Sequence, residues 1–209
     1  MTPAILKKVE IHEKRKLQQL SRKAYYLNYF DHWNSKAGIE SYLHDQFGEE
    51  RLHRDLTNEN IAYHFIHHQN HLVGFSKLNF NPEQQSLFAY CELEKLYLLP
   101  AFIGKGLGRL ALEENLFLAQ KKQKKGVYLY VIETNRKAQY LYHQFGFEVE
   151  EKTRFLIPDF KDEYRGLLKM KMQFSAYNSP PPGIDHVSVK KCKLFLYNHK
   201  SNQNERHNS

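Results

Sequence analysis

The 209-residue chain is predicted to fold as a mixed α/β domain, with a mostly antiparallel central sheet and helices on both faces. Three observations predict this class. Apolar residues recur at helical spacing through the first third of the chain. Three segments rich in aromatic and branched residues follow, joined by short polar connections. A further strand-like run then passes through glycines into a helix and another strand-like run, which is the pattern of a parallel crossover.

Taken in order, Leu17, Leu20, Ala24 and Leu27, with Tyr25, place one helix between Ile11 and Phe30. "DHWNSKAG" interrupts it, and Asn34 or Ser35 caps a second helix over "KAGIESYLHDQF". "GEERLHRDLTNEN" reads as a short third helix ending in polar turn residues. "IAYHFIHH", "HLVGFSKLNF" and "SLFAYCELEKLYLL" read as strands, with "HHQNH" and "NFNPEQQ" as tight connections that make them antiparallel neighbours. A helix from Leu107 to about Gln123 leads to a buried strand, "GVYLYVIE". The helix "NRKAQYLYHQF", a Gly-Phe turn and the strands "FEVEEKTRFLI" and "YRGLLKMKM" follow. The crossover makes "LEKLYLL" and "VYLYVIE" parallel. "YNSPPPG" then breaks the chain, so residues 1–174 form the domain and 175–209 a polar, basic tail too short to fold alone. Within the tail, "IDHVSVKKCKLFLYNHK" reads as one strand and "SNQNERHNS" has a disordered composition.

Composition narrows the function classes. A hydrophobic fraction of 41%, with 14 Tyr and 14 Phe, supports a sizeable core and excludes a chain disordered throughout. No run approaches the ~20 apolar residues of a membrane helix, and the opening "MTPAILKKVEIHEKRK" lacks the apolar core of a signal peptide. The expectation is a soluble, cytoplasmic protein. The two cysteines, Cys91 and Cys192, give neither a disulfide framework nor zinc spacing. The formal net charge of +8 favours an anionic partner, yet five basic and two acidic residues of that balance sit in the tail. A phosphorylated small molecule is therefore expected rather than nucleic acid or membrane.

Gly104, Gly106 and Gly108 open a helix directly after a strand. Glycine permits positive φ and close approach of a bulky anion, and the unpaired N–H groups of a first helical turn point at such an anion with the dipole behind them. Lys105 and Arg109 add positive charge. The spacing fits neither the dinucleotide fingerprint nor the Walker pattern. Alone, it also reads as a tight strand-to-helix turn without a ligand, the less favoured of the two readings.

The neighbourhood adds a second motif. "GKGLG" is followed by a helix, a strand and then Asn135, Ala138, Tyr142, Gly146 and Phe147. This order resembles the GNAT superfamily of acetyl-CoA-dependent N-acetyltransferases. The family's Gln/Arg-x-x-Gly-x-Gly/Ala motif lies on Ile103 to Gly108, with Ile103 in place of the usual Gln or Arg. Asn135, Ala138 and Tyr142 match its Asn-x-x-Ala-x-x-x-Tyr motif. The layout of the first half is similar to the bacterial spermidine/spermine N-acetyltransferases, over about residues 3 to 172.

The resemblance implies a GNAT-like fold and a donor, acetyl-CoA, held by Leu96, Tyr97, Leu98, Ile103, Gly104, Lys105, Gly106, Leu107, Gly108, Arg109, Asn135 and Tyr142. It places a bulge at Leu98 whose free N–H polarises the thioester carbonyl. It implies a carboxylate base aligned with Glu92. Glu94 lies one pleat closer to the thioester on the same face, and the choice between them stays open. Tyr142 is the candidate acid for the leaving thiolate, selected over Tyr140 by its spacing from Asn135. A primary amine, a polyamine foremost, is the implied acceptor. Asp31, Asp159 and Asp162 are candidates to hold its ammonium groups, with ordinary solvated loop charges as the plainer alternative. Protein lysines, N-termini and other small amines are the alternatives within the enzyme class, and an idle acyl-CoA-binding regulatory module is the alternative outside it. A homodimer is compatible with all of these. His64, His67, His68 and His71 have metal-like spacing only on a helix, and their segment reads as a hairpin, so no metal is expected. "KKQKK" at Lys121–Lys125 reads as a helix end favoured by the dipole.

Overall fold

In the computed structural model, residues 5–82 and 89–174 are described. The tail strand expected around "HVSVKKCKLFLYN", Cys192 and most of the "NFNPEQQ" connection lie outside these residues. Seven strands form one sheet: β1 (Ile5–Lys8), β2 (Ile61–His68), β3 (His71–Asn79), β4 (Tyr90–Leu98), β5 (Gly126–Ile132), β6 (Glu148–Arg154) and β7 (Gly166–Gln173). Their spatial order is β1-β2-β3-β4-β5-β7-β6. Every neighbouring pair is antiparallel except β4 and β5, which the crossover makes parallel.

The helices divide between the two faces, as the alternation of β2 dictates. Tyr63 and Phe65 face α1 (Lys14–Tyr29), α2 (Lys36–Phe47) and α3 (Glu49–Thr57), in a core with Leu17, Ala24, Ile39, Leu43, Phe47, Leu52 and Phe75. Ile66, one residue on, faces the other way and packs with Val73 against Leu107 and Ala111 of α4 (Leu107–Lys121). The crossover through α4 ends in β5, and α5 (Arg136–Gln144) follows it.

Local signals explain the boundaries. Ser35 caps α2 by accepting the Gly38 N–H at 3.0 Å. Gln69 and Asn70 both take positive φ (49° and 63°), the conformation a two-residue hairpin turn between β2 and β3 requires. Gly146 (φ 83°) ends α5, and Phe147 N–H bonds back to Tyr142 O at 3.1 Å. At the other end of the sheet order, all seven residues of the edge strand β6 are exposed.

β1 is absent from the sequence expectation. "ILKK" has four residues and no alternation, and its order comes from pairing across the chain, Ile5 opposite His67 through Lys8 opposite His64. The four histidines sit on the β2–β3 hairpin, and among the described residues no group of His, Cys, Asp or Glu could hold a metal ion. No helix among them is long and apolar enough to cross a membrane.

Replacing Ser35 by Ala removes the α2 cap and a bond from its hydroxyl to Asp159. Urea unfolding should show a loss of about 1 kcal/mol, with the slope of the transition unchanged.

Candidate active site

β4 and β5 pair only from Tyr90–Glu92 with Gly126–Tyr128. Beyond this, β5 continues beside β7 while β4 continues beside β3, and the two strands part. Leu99 N–H bonds Val73 O at 2.8 Å on the β3 side. By strand alternation, the peptide groups of Leu98 face the opposite way, into the opening. The Leu98 carbonyl there accepts Asn28 Nδ2 at 2.9 Å, and Asn28 Nδ2 also bonds Ala24 O in α1 at 2.8 Å. The Leu98 N–H has no carbonyl partner among the described residues.

This corrects the expected bulge. The pairing of Gly74 with Leu98 is regular, and the bulge falls earlier, where Lys77 opposes Lys95, Leu78 opposes Leu93, and Glu94 is the extra residue. The Leu98 N–H is free because the neighbouring strand departs. The side chains of Leu96 and Leu98 pack on the α4 side, whereas the Tyr97 ring lies on the other face among Tyr25, Tyr29 and Phe75.

The glycine turn borders this opening. Gly104 and Gly106 take φ of 82° and 76°, and a Cβ on either would meet nothing within 4 Å, so conformation and not crowding calls for glycine. Gly108 has ordinary φ, and a Cβ there would make normal contacts, 3.7 Å to Leu141 and 3.9 Å to Leu98. Ile103 N–H bonds Pro100 O and Leu110 N–H bonds Gly106 O. Between them, no backbone N–H from Gly104 to Arg109 meets a carbonyl among the described residues. Such a row of donors at a helix start suits a pyrophosphate. Leu107 contributes its peptide only, because its side chain is core.

One side chain at the turn differs from expectation. Arg109 is turned to α5, where its guanidinium donates to Gln144 Oε1 at 2.9 Å and stacks 4.9 Å from the Phe145 ring centroid. Lys105 stays at the turn, 5.2 Å over Phe102, and Ile103 is exposed.

α5 supplies the second motif. Asn135 is its cap, and its Oδ1 accepts the Ala138 N–H at 3.2 Å. Tyr142 is buried, at 9% exposure, while Tyr140 is 68% exposed. Phe147 packs on the Tyr142 ring at 5.7 Å. Burial, with Tyr29 nearby, raises the Tyr142 phenol above its usual value. The Tyr29 hydroxyl lies beside the Asn135 side chain.

Glu92 and Glu94 line a cavity of about 550 Å³ with Arg51, Arg54 and Asp55 of α3 and Tyr128 and Tyr130 of β5. Burial first, then the neighbouring Glu94, pushes the Glu92 carboxyl above the ordinary range. Glu92 Oε2 accepts the Tyr128 hydroxyl at 3.0 Å. Glu94 is bound instead to Lys77 at 2.5 Å and to Asn79 Nδ2 at 3.4 Å.

The loop acids do not join this cavity. Asp159 bonds Ser35, and Asp162 pairs with Arg154 at 2.6 Å and Arg165 at 3.6 Å. The backbone carbonyl of Asp31 takes Lys161 Nζ at 2.7 Å. Together with the Trp33–Phe160 bridge, these contacts clip the loop before β7 to the α1–α2 connection. Asp159 and Asp162 thus have protein partners in this loop and stand apart from the cavity of Glu92 and Glu94.

Residues 19–147 match the model of the acetyltransferase (GNAT) family. The chain belongs to that family. As a GNAT acetyltransferase it uses acetyl-CoA as acyl donor. Its fold is similar to that of the PaiA N-acetyltransferase from Thermoplasma acidophilum, solved in complex with coenzyme A (TM-score 0.65, 22% identity, 82% of this chain and 99% of that one). A GCN5-related N-acetyltransferase from Rhodopseudomonas palustris is also similar (TM-score 0.62, 14% identity, 83% and 97%). So is the spermidine/spermine N-acetyltransferase SpeG from Vibrio cholerae (TM-score 0.59, 20% identity, 84% and 95%).

Sequence reasoning missed Asn28, Tyr29, Lys77 and Tyr128. Each resembles ordinary core or surface material in its own segment, and only the fold brings it to the opening or the cavity.

The glycines should separate experimentally. Gly106→Ala forces positive φ on a residue with a Cβ and should raise the acetyl-CoA KM at least about tenfold, through strain of roughly 1–3 kcal/mol in the donor row. Gly108→Ala should change it less than about threefold unless the ligand itself fills that space. Steady-state titration of acetyl-CoA reads both.

Proposed function

We propose that this GNAT acetyltransferase transfers acetyl directly from acetyl-CoA to a primary amine while both are bound, with a polyamine such as spermidine as the foremost acceptor. The observation that carries the reading is the strand β4 itself. Its departing end presents a free N–H at Leu98 beside an unpaired row of turn donors, and its other end presents a partly buried carboxylate in a cavity.

In this scheme the turn peptides from Gly104 to Arg109 bind the donor's pyrophosphate, and Asn28 and Asn135 hold the walls of the opening. The Leu98 N–H stabilises negative charge on the thioester oxygen as the amine attacks. An acceptor ammonium, with a pKa near ~10.4, must first lose its proton. A carboxylate of the Glu92–Glu94 pair receives it, directly or through water.

Tyr142 then faces the leaving sulfur as a donor. Complete proton transfer from a phenol (~10) to a thiolate (~8.5) is uphill by about 2 kcal/mol, and burial of Tyr142 steepens the climb. Its role is a neutral O–H that hydrogen-bonds the thiolate and stays protonated.

The polyamine reading is supported by the likeness to SpeG, which is named for spermidine and spermine, and by two adjacent carboxylates in one cavity. A smaller amine bearing its own negative charge is the second reading. Arg51 and Arg54 at the cavity favour it.

A panel of amines scored by release of free CoA thiol decides between them. Spermidine should exceed monoamines in kcat/KM by at least about tenfold. A preference for amino-carboxylates selects the second reading, and no turnover with any amine while CoA binds refutes the proposal. Tyr142→Phe should lower kcat by about 10- to 100-fold with acetyl-CoA KM nearly unchanged. Because its phenol is raised, wild-type activity should show no alkaline loss from Tyr142 below about pH 10.

A further inference from the structure

Lys77 is the most deeply placed charge near the cavity. It is fully buried, at 0% exposure, in the middle of β3. Its Nζ lies 2.9 Å from Asp55 Oδ2 and 2.5 Å from Glu94 Oε2. The Tyr63 hydroxyl donates to the same Asp55 Oδ2 at 2.8 Å, and Arg51 Nε pairs with Asp55 Oδ1 at 3.2 Å. The β4 bulge makes this cluster sterically feasible, because an extra residue turns Glu94 and Lys95 toward the same helices.

Every Asp55 oxygen and both Glu94 oxygens therefore have protein donors or cations. Glu92 differs: Tyr128 engages Oε2, and Oε1 has no donor among the described residues. The oxygens of Asp55 and Glu94 are thus occupied by their own partners, and the cavity-lining Glu92 keeps one oxygen without a donor. Burying such a cluster is expensive compared with an apolar replacement.

We propose that Lys77 is a positioning residue for amine deprotonation: it retains Glu94 and Asp55 as its counter-ions, so that Glu92 is the cavity carboxylate that accepts the acceptor's proton. This rests on the reading that the acceptor enters the cavity and loses its proton there. The charged and titratable groups around Glu92 are Glu94 and Lys95 on its own strand, Lys77 on β3, and Tyr128 and Tyr130 on β5. From the helices come Arg51, Arg54 and Asp55 of α3. Lys95 is partly diverted, donating to Gln46 Oε1 at 3.1 Å in α2. Lys77 is thus the buried cation bound to Glu94, the glutamate beside Glu92. Without it, Glu92 loses the field of that cation and ionises at higher pH.

The test measures kcat/KM against pH on the full chain, with the best amine of the panel and saturating acetyl-CoA. Glu92→Gln should lose at least about 100-fold and its acidic limb, whereas Glu94→Gln should stay active, with the limb moved to lower pH because the Glu94 charge no longer raises the Glu92 carboxyl. Lys77→Met should move the limb upward by about one unit, a tenfold loss below it, with acetyl-CoA KM unchanged. Lys77→Arg, which keeps the charge, should return the limb toward the wild-type position. Should Lys77→Met not fold, the Glu92 and Glu94 variants still decide. An inactive Glu94→Gln beside an active Glu92→Gln overturns the proposal. An unmoved limb in Lys77→Met, with Glu92→Gln inactive, reduces Lys77 to a structural role and also overturns it. Full activity in both glutamate variants refutes the underlying reading of the cavity instead.

Discussion

A parallel sheet normally continues as long as both strands have residues to pair, because each unpaired peptide group forfeits a hydrogen bond. Here β4 and β5 separate after Glu92 and Tyr128, although both strands run on. β5 finds its bonds with β7 on its other side, and β4 finds its own with β3. The inward-facing peptides of β4 are left for other partners. Asn28 takes the Leu98 carbonyl, and the Leu98 N–H has no carbonyl partner among the described residues. The opening bordered by the glycine turn, where we propose the donor binds, is therefore set by where two strands stop pairing.

The cavity of Glu92 and Glu94 depends on the opposite circumstance, an extra residue within a paired strand. The bulge at Glu94 lets the glutamate and Lys95 point to the same helices. It brings a fully buried lysine into contact with carboxylates from α3 and β4. Charge pairing at such depth is sensitive to geometry. Tyr25, Tyr29, Tyr42 and Tyr97 pack ring against ring beneath the helices. Burial holds their hydroxyls protonated.

Much of the fold was legible in the sequence because its signals are local. The cap at Ser35, the Gln69–Asn70 turn, the glycines before α4 and the Asn135–Gly146 ends of α5 all declare themselves within a few residues. The parallel pair followed from the crossover. What stayed hidden required non-local partners. β1 exists through β2. Asp159 is held by Ser35, distant in sequence, and Asp162 by Arg154 on β6 and by the nearby Arg165. Lys77 looks like an outward residue on an alternating strand until α3 is placed over it, and no periodicity marks a bulge at Glu94. Leu98 shows a mixed outcome: the free N–H was anticipated from family likeness, but its cause is the departure of a strand and not a bulge.

The exposed edge strand β6 has a consequence for behaviour in a crowded solution. Its run of Glu148, Glu150, Glu151, Lys152 and Arg154 presents dense charge along the border where a foreign strand would have to hydrogen-bond. Lys169 and Lys171 on β7 already bind Glu150, so an incoming chain would meet satisfied ion pairs and a costly desolvation. The opposite border, β1, has only four residues and offers little template. A sheet of this breadth is thereby kept from growing by edge addition into aggregates.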